Sequence, residues 1–258
     1  MSIKNFFFGN LESKFLSEVR SLAYAFSVAI IIRTFIYQPF VIPSGSMYPT
    51  FMVGDFVLGN KMVYGISHQT FPFRIKFFEG RIGGRIPKRG EIVTFFGIRD
   101  PEGRDFVKRC VGLPGDKVQV IDGVIHLNGE AVKLKRIEDY TYEDITRGTV
   151  AIYKQYEETF KLRDGTTQVH KILMAHDFGD GYYDNTPEYI VPKDHLFMMG
   201  DNRHNSSDSR NMENIGFVHK DHIFSRPDFM FFSTEAKWYE PHKWLFTIRP
   251  ERIFTIVT

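Results

Sequence analysis

The 258-residue chain is poor in several features that indicate particular classes of protein. It has one cysteine, Cys110, so no disulfide can form within the chain and cysteine usage does not identify a compartment. Its formal net charge is only +2 and no basic run stands out, which argues against nucleic-acid binding. The chain shows neither the spacing of a calcium loop nor a zinc pattern of histidines, so we expect no metal and no cofactor.

Long apolar runs are also scarce, and the one exception lies near the N-terminus. Residues 22–32 are apolar except for Ser27, and extending this run through residues 35–37 gives enough length to cross a bilayer, which needs roughly 20 residues. We therefore predict a tail at 1–16 and a transmembrane helix at 17–37, with Arg33 snorkelling to one face. An amphipathic or buried helix is the alternative. No small-residue cleavage pattern follows the run, which disfavours a removed secretory signal.

Basic residues are distributed unevenly on the two sides of this run. Lys4, Lys14 and Arg20 precede it, whereas after Arg33 the next Lys or Arg is Lys61. Cytoplasmic flanks of membrane helices carry an excess of Lys and Arg. The sequence thus predicts a single-pass protein with a cytoplasmic N-terminus and its body on the outer side.

The rest of the chain has the pattern of a mainly β protein. Short segments rich in β-branched and aromatic residues are bounded by Gly, Pro, Asp or Asn, and Asp122-Gly123 is typical of a two-residue hairpin turn. The predicted strands are 56–58, 91–96, 106–111, 117–121, 123–127, 189–191, 195–199 and 229–232. They indicate a coiled antiparallel β-sheet or partly closed barrel, formed by 38–133 and 188–258, with an inserted β-rich lobe at 134–187.

Two further segments allow more than one interpretation. Residues 65–88 are rich in Phe, Arg, Ile and Gly, and lie either near lipid headgroups or in an ordinary surface loop. Residues 243–258 alternate apolar and basic side chains, which suits either a return along the membrane or packing on the core.

A turn after the apolar run carries two serines on either side of a glycine. Pro43 fixes one backbone dihedral and Gly45 permits a tight turn, so Ser46 is expected on a rigid turn. A serine held in that way can be a nucleophile. An ordinary loop of Pro, Ser and Gly is the alternative.

A lysine lies within one of the predicted strands. Because side chains alternate along a strand, Lys108 shares a face with Phe106 and Cys110. Apolar neighbours remove water from the ammonium group, which lowers the lysine pKa and makes the neutral amine available near neutral pH. A lysine whose tip reaches solvent is the alternative.

A third segment, residues 198–210, is too polar for a buried strand. Asp208 and Arg210 could form a charge-assisted pair that fixes this loop, with Ser206 projecting a hydroxyl. A solvated turn or a cation-binding loop is the competing interpretation.

Together these segments resemble the type I signal peptidases, the membrane-anchored serine proteases of peptidase family S26 that remove signal peptides from exported proteins. The resemblance rests on PSGSMYPT at 43–50, GDFVLGNK at 54–61, FVKRCVGLPGD at 106–116 and GDNRHNSSDSR at 200–210, in the family's order. It implies a protein of the bacterial inner membrane whose substrates are preprotein signal peptides. It further implies cleavage after Ala-x-Ala-like segments, beside the protein-export channel.

The resemblance also implies a serine–lysine dyad, with Ser46 as nucleophile and Lys108 as general base. Ser206 matches the serine that hydrogen-bonds the lysine amine, and Ser44 matches the hydroxyl that completes the oxyanion hole.

Other positions of the family's pattern are matched less uniformly. Asp208 and Arg210 match its structural ion pair. His204, Phe106 and Cys110 stand where Asp, Tyr and a branched aliphatic residue are usual. The positions that line its shallow pockets for small side chains are Phe40, Ile42, Pro43, Met47, Phe51, Phe106 and Val107.

Other functions stay open from the sequence alone. A self-cleaving regulator of the SOS-repressor type shares serine–lysine chemistry, although the apolar N-terminal segment and the absence of a DNA-binding domain argue against it. A non-enzymatic, membrane-tethered β-domain is a third class. A Ser-His-Asp triad is a rival mechanism, and its candidate histidines are His126, His195, His204, His219 and His222.

Overall fold

The computed structural model describes residues 3–71, 74–144, 149–236 and 240–257, beginning with one long helix, α1 (Ile3–Phe35). Residues 14–33 of α1 are exposed, and the segment Lys14–Phe35 is long and apolar enough to cross a membrane. At about 1.5 Å per residue this segment is about 33 Å long, close to the thickness of a bilayer core. The helix differs from the predicted 17–37: it already begins at Ile3 within the predicted tail, and it ends at Phe35 because a strand starts at Tyr37.

The remainder is built mainly of short strands. They are β1 (Tyr37–Val41), β2 (Asp55–Asn60), β3 (Ile66–Ser67), β4 (Arg81–Ile82), β5 (Ile92–Phe96), β6 (Asp105–Gly112), β7 (Lys117–Ile121), β8 (Val124–Leu127), β9 (Glu130–Ala131), β10 (Lys133–Arg136), β11 (Tyr140–Asp144), β12 (Thr149–Lys161), β13 (Thr167–Met174), β14 (Tyr189–Ile190), β15 (His195–Met199), β16 (Val218–His219), β17 (Ile223–Ser233) and β18 (Thr255–Ile256).

The largest sheet is antiparallel and has the order β1-β2-β17-β5-β6-β15-β16, with β18 added to β17. Strand β17 shifts register once against β5 and twice against β2. Such bulges bend a strand and increase its twist, which curls the sheet into a half-barrel. The predicted mainly β, coiled antiparallel fold is therefore confirmed.

Three smaller sheets complete the described part of the chain: β14-β7-β8-β9, β10-β12-β11 with β13 on β12, and β3-β4. The predicted hairpin turn is confirmed, because Ile121 pairs with Val124 across Asp122 and Gly123, which both have positive φ. The strands β10 to β13 lie within or next to the predicted lobe at 134–187, of which 145–148 are outside the described residues.

The C-terminal segment packs on the body of the protein. After helix α2 (Pro241–Thr247), β18 pairs with β17, and Arg252 Nη2 lies 2.6 Å from Asp55 Oδ2. Arg249 Nη2 donates to the Val53 carbonyl at 2.6 Å. Of the two interpretations of residues 243–258, the structure favours packing on the core; Thr258 lies outside the described residues.

One of the apolar clusters supports the functional segments directly. It consists of Ile42, Met47, Phe51, Val57 and Ile92, and Phe40 and Val107 pack against it partly exposed. It therefore joins β1, the serine-bearing turn, β2, β5 and β6 into one unit.

Candidate active site

The two serines lie on a single turn of 3₁₀ helix between β1 and β2. Ser44 has extended backbone angles and Gly45–Met47 form the turn, with Ser46 only 9% exposed. A Cβ at Gly45 would lie 3.1 Å from the Tyr48 ring, so a glycine suits this position. The turn is also fixed from outside, because Asn202 N donates to the Ser46 carbonyl at 3.1 Å and Asn202 Nδ2 to the Gly45 carbonyl at 3.1 Å.

Lys108 reaches this turn from β6. Its side chain is only 3% exposed, and its Nζ donates to Ser46 Oγ at 2.5 Å. Burial lowers the pKa of Lys108 to about 8, because the charged ammonium loses its hydration; the carboxylates of Asp208 and Asp201 act in the opposite direction. The neutral amine is thus populated near neutral pH and lies in contact with a hydroxyl, which is the arrangement that a general base requires.

Ser44 is the second hydroxyl at this position. Its Oγ lies 3.4 Å from Ser46 Oγ, and the residue is exposed. The side chain is therefore free of the core and lies beside the Ser46 hydroxyl.

The loop after β15 backs the turn and carries the predicted ion pair. Arg210 Nε and Nη2 each lie 2.8 Å from a carboxylate oxygen of Asp208, so this pair is present. Burial alone would raise the pKa of Asp208, but Arg210 holds it below its usual value. Gly200 N donates to Asp208 Oδ2 at 3.1 Å, and a Cβ at Gly200 would overlap both Ser206 Oγ and the Ser46 carbonyl oxygen.

Ser206 is brought into this region but is not hydrogen-bonded to Lys108 in the described geometry. Its Oγ is buried and has no hydrogen bond of ordinary geometry among the described residues. It lies close enough to Asp208 to lower the pKa of that carboxyl slightly. Burial, which raises this pKa, and Arg210, which lowers it, have larger effects.

A second buried ion pair near the site was not identified from the sequence. Arg109 Nε and Nη2 donate to the two carboxylate oxygens of Asp201 at 2.8 and 2.7 Å, and Thr50 Oγ1 donates to Asp201 Oδ2 at 2.6 Å. Both charged residues are 1% exposed. Arg109 follows Lys108 and Thr50 ends the serine-bearing motif, so this pair connects three of the motifs that carry the resemblance. The signal available in the sequence was that Thr50 lies in the same motif as Ser46 and that Arg109 directly follows Lys108.

The histidine of the same loop has a structural environment. His204 Nδ1 accepts from Ala175 N at 3.2 Å and from His176 N at 3.1 Å, so its Nε2 carries the proton and donates to Asp184 Oδ1 at 2.9 Å. The described hydrogen bonds of Ser46 Oγ go to Lys108 and Ser44, not to a histidine. Within the described parts of the chain, no three His, Cys, Asp or Glu side chains are grouped as metal ligands.

The seven residues expected to line substrate pockets fall into two groups. Ile42, Met47 and Phe51 are at most 3% exposed, so they lie beneath the surface of the site. The other four are at least partly exposed and lie on β1, on the turn and on β6; they are Phe40, Pro43, Phe106 and Val107. The three buried residues, together with Phe40 and Val107, belong to the apolar cluster that joins β1 to β6, whereas Phe106 packs against a different cluster.

Comparison with known proteins adds independent findings. A family model described as signal peptidase, peptidase S26 matches residues 16–232. The signal peptidase I of Rickettsia prowazekii (strain Madrid E) is 34% identical over 253 residues, which cover 92% of this chain and 92% of the relative. That of Rickettsia akari (strain Hartford) is 35% identical over 250 residues, covering 91% and 90%. A solved signal peptidase I from Enterococcus faecalis V583 is 25% identical, with a TM-score of 0.30, and covers 55% of this chain and 97% of that one.

Proposed function

The chain belongs to the peptidase S26 family of signal peptidases, and we propose on that premise that it cleaves its substrates with Ser46 as nucleophile and Lys108 as general base. Membership makes it a peptidase that removes signal peptides. One observation carries the mechanistic proposal: Lys108 Nζ, on a side chain that is 3% exposed, lies 2.5 Å from Ser46 Oγ. That distance is within hydrogen-bond range.

The first half of the reaction forms an acyl-enzyme. Ser46 Oγ attacks the carbonyl carbon of the scissile peptide while the neutral amine of Lys108 accepts the hydroxyl proton. The charge that develops on the carbonyl oxygen is stabilised by the Ser46 backbone N–H and the Ser44 hydroxyl. The lysine ammonium then gives its proton to the leaving amine, which breaks the peptide bond and returns Lys108 to the neutral form.

The second half releases the signal peptide. Lys108 accepts a proton from a water molecule that attacks the ester carbonyl, and the same two donors stabilise the oxyanion. Collapse of this intermediate breaks the ester bond, and the Ser46 oxygen takes back a proton from Lys108. Such serine–lysine pairs are a variant of triad chemistry in which an amine replaces the imidazole.

The substrate is proposed to bind as an added strand. In the described pairing, β1 is bonded to β2 alone, and residues 105–108 of β6 are bonded to β5 alone. Each therefore leaves one edge of backbone N–H and C=O groups available to an extended peptide. Phe40 of β1 and Val107 of β6 pack on the same cluster, which supports a binding track between the two edges.

The specificity for small residues is proposed to follow from the floor of this track. Side chains of an extended peptide point alternately to opposite sides, so every second one faces the protein. The buried side chains of Ile42, Met47 and Phe51 already fill the space below. Two alanines separated by one residue would fit above them, as in an Ala-x-Ala segment.

The segment Lys14–Phe35 is proposed to anchor the protein in the bacterial inner membrane with its N-terminus in the cytoplasm. The uneven distribution of Lys and Arg around it supports this orientation. The body would then lie on the outer side, beside the export channel. Protease added to sealed right-side-out vesicles should digest the body, and digestion only in inside-out vesicles would reverse the orientation.

A cleavage assay separates the proposed function from its rivals. The full-length protein in lipid–detergent micelles is incubated with a synthetic signal peptide and, separately, alone. Cleavage of the peptide by the wild type but not by Ser46→Ala supports the proposal. Cleavage of the protein's own chain without cleavage of the peptide would indicate a self-cleaving regulator, and no cleavage of either would indicate a binding module.

A further inference from the structure

A cavity of about 670 Å³ lies where the outer end of α1 meets the body of the protein. One wall is apolar and comes from α1, with Phe26, Ala29 and Ile30. The opposite end is cationic and contains Arg33 of α1 together with Lys61. The cavity therefore has an apolar part and a charged part, and apart from those on the proposed substrate-binding edges, such as Asp105 at the start of β6, its residues have no part in the proposed reaction.

The charged part has an excess of positive charge. Arg74 and Asp105 also line the cavity and form an ion pair with each other. Lys61 Nζ donates to the Thr70 carbonyl at 2.7 Å, and neither Lys61 nor the exposed Arg33 has an ion pair among the described residues. Burial and, to a smaller extent, the nearby charge of Arg33 lower the pKa of Lys61 to about 8, while Asp105 acts in the opposite direction. An anion placed between these two cations would be stabilised by both.

Two buried polar atoms in the lining residues are unpaired as well. The Thr34 hydroxyl and the Gln69 amide oxygen have no hydrogen-bond partner among the described residues. These side chains are 4% and 8% exposed. A buried polar group without a partner costs free energy, and nearly all such groups in folded proteins are paired. A ligand with several hydroxyl and phosphate groups could supply the missing partners.

The orientation of the cavity matches the layers of a bilayer. If Lys14–Phe35 spans the membrane, Arg33 lies at the level of the outer headgroups. Phe26 is seven residues earlier and thus about 10 Å deeper, at the level of the acyl chains. Nearby, the centre of the Phe71 ring lies 5.9 Å from that of Phe35 and 5.0 Å from that of Phe77. Phe77 is 67% exposed. Amphipathic surfaces of this kind suit the membrane interface.

We propose that this cavity binds an anionic phospholipid of the outer leaflet, with the phosphate between Arg33 and Lys61 and an acyl chain along Phe26 and Ile30. The proposal rests on the membrane anchor proposed above. The apolar part of a signal peptide is the other candidate occupant, but it offers no negative charge to the two unpaired cations. The charges therefore favour the lipid.

The test uses the full-length protein in micelles that contain equal amounts of phosphatidylglycerol and phosphatidylcholine, with native mass spectrometry to count the retained lipids. The wild type should retain phosphatidylglycerol preferentially. Because one cation near a membrane surface changes anionic-lipid binding by about fivefold, Arg33→Gln should reduce this preference by about that factor and Arg33→Lys should restore it. Arg20→Gln is the matched control, since Arg20 is exposed on the same helix but outside the cavity. Equal preference in the wild type and Arg33→Gln would overturn the proposal.

Two competition experiments distinguish the sources of the ligand. Inorganic phosphate should not displace the lipid at equal concentration, and displacement would assign the site to a free anion. Displacement by an apolar signal peptide would assign the cavity to the substrate. Cleavage of a soluble signal peptide by the wild type is measured in parallel: a protein that cleaves without lipid preference refutes only the lipid site, and one that does not cleave refutes the proposed function.

Discussion

Two lysines in different regions of the molecule, Lys108 in the candidate active site and Lys61 at the end of α1, are buried to almost the same extent. They are 3% and 4% exposed. Burial is the main reason why the pKa of each falls to about 8. Their hydrogen-bond acceptors differ, since Lys108 Nζ donates to the Ser46 hydroxyl at 2.5 Å and Lys61 Nζ to the Thr70 carbonyl at 2.7 Å.

This difference shows that a lowered lysine pKa is not sufficient to identify a general base. A hydroxyl has a proton that a neutral amine can accept, whereas a carbonyl oxygen has none. Each lysine also has an arginine and at least one carboxylate nearby, but their order of importance differs: after burial, the carboxylates of Asp208 and Asp201 affect the pKa of Lys108 most, whereas Arg33 affects that of Lys61 most. Desolvation makes both amines available, and the partner atom decides which of them can take part in catalysis.

The largest difference between the two lysines should be the loss of cleavage when each amine is removed. Lys108→Ala and Ser46→Ala are each expected to lower kcat/KM for a soluble signal peptide by about 10⁴-fold or more, because the reaction loses its base or its nucleophile. Lys108→Arg should be equally inactive, since a guanidinium stays protonated. Lys61→Ala should keep cleavage measurable, because its amine does not contact Ser46. Substantial cleavage by Lys108→Ala, with an unchanged circular dichroism spectrum, would contradict the assignment.

Removing the exposed hydroxyl beside the dyad should have the next largest effect. Ser44→Ala should lower kcat by about 10²–10³-fold with little change in KM, because this donor would be used chiefly in the transition state. Steady-state kinetics on the same peptide would measure the two constants separately. A kcat close to that of the wild type would remove Ser44 from the oxyanion hole.

The pH dependence of cleavage should follow Lys108 and not Lys61. The amine of Lys108 can accept a proton only when it is neutral, so kcat/KM should rise with pH up to about 8 and fall by about tenfold per unit below it. Lys61→Ala should show the same rise of kcat/KM with pH. If the rise of kcat/KM shifts to another pH in Lys61→Ala, or is centred near the ordinary pKa of histidine, another group is titrating.

The smallest effect concerns stability and should be shared by both lysines. Each has a folded pKa of about 8 and an ordinary pKa of 10.5, so the unfolded chain binds more protons between these values and stability rises with pH across that window. At pH 7 both buried charges oppose folding. Lys108→Met and Lys61→Met should each raise the free energy of unfolding at pH 7 by about 2 kcal/mol, after subtraction of one lost hydrogen bond.

Denaturant unfolding in detergent at pH 7 and at pH 10.5 measures this effect. The increase in the free energy of unfolding should be smaller at the higher pH, because the wild-type amines are then neutral in the folded protein. Only Lys108→Met should also abolish cleavage. Destabilisation by both substitutions at pH 7 would contradict the assigned cost of the buried charges.

Local patterns were sufficient to predict much of the fold, whereas the approach of Ser46 to Lys108 was predicted from the resemblance to a known family. Short segments rich in β-branched and aromatic residues marked several strands of the large sheet, and Asp122-Gly123 marked the turn between β7 and β8 of a smaller sheet. The lobe at 134–187 was expected to be β-rich, but its individual strands, including the long hairpin of β12 and β13, were not predicted. The end of α1 was placed two residues late, because Ile36 and Tyr37, which continue the apolar run, suit a membrane helix equally well.

Contacts between distant parts of the chain could not be predicted in this way. Arg109 and Asp201 are separated by 92 residues, and Arg203 meets the buried Glu158 across 45 residues at 2.5 Å. No periodicity relates such positions, and only folding brings them together. The same holds for Lys61 and Arg33, whose shared cavity depends on how α1 meets the body.

The most direct measurement is an NMR titration of lysines labelled with ¹³C at Cε, in full-length protein that carries Lys61→Met. Removing Lys61 leaves Lys108 as the single lysine with a pKa lowered to about 8 among the described residues. One resonance should therefore titrate near pH 8, and it should disappear in the additional variant Lys108→Met. If every lysine resonance titrates near 10.5, Lys108 is cationic at neutral pH and cannot be the base for Ser46.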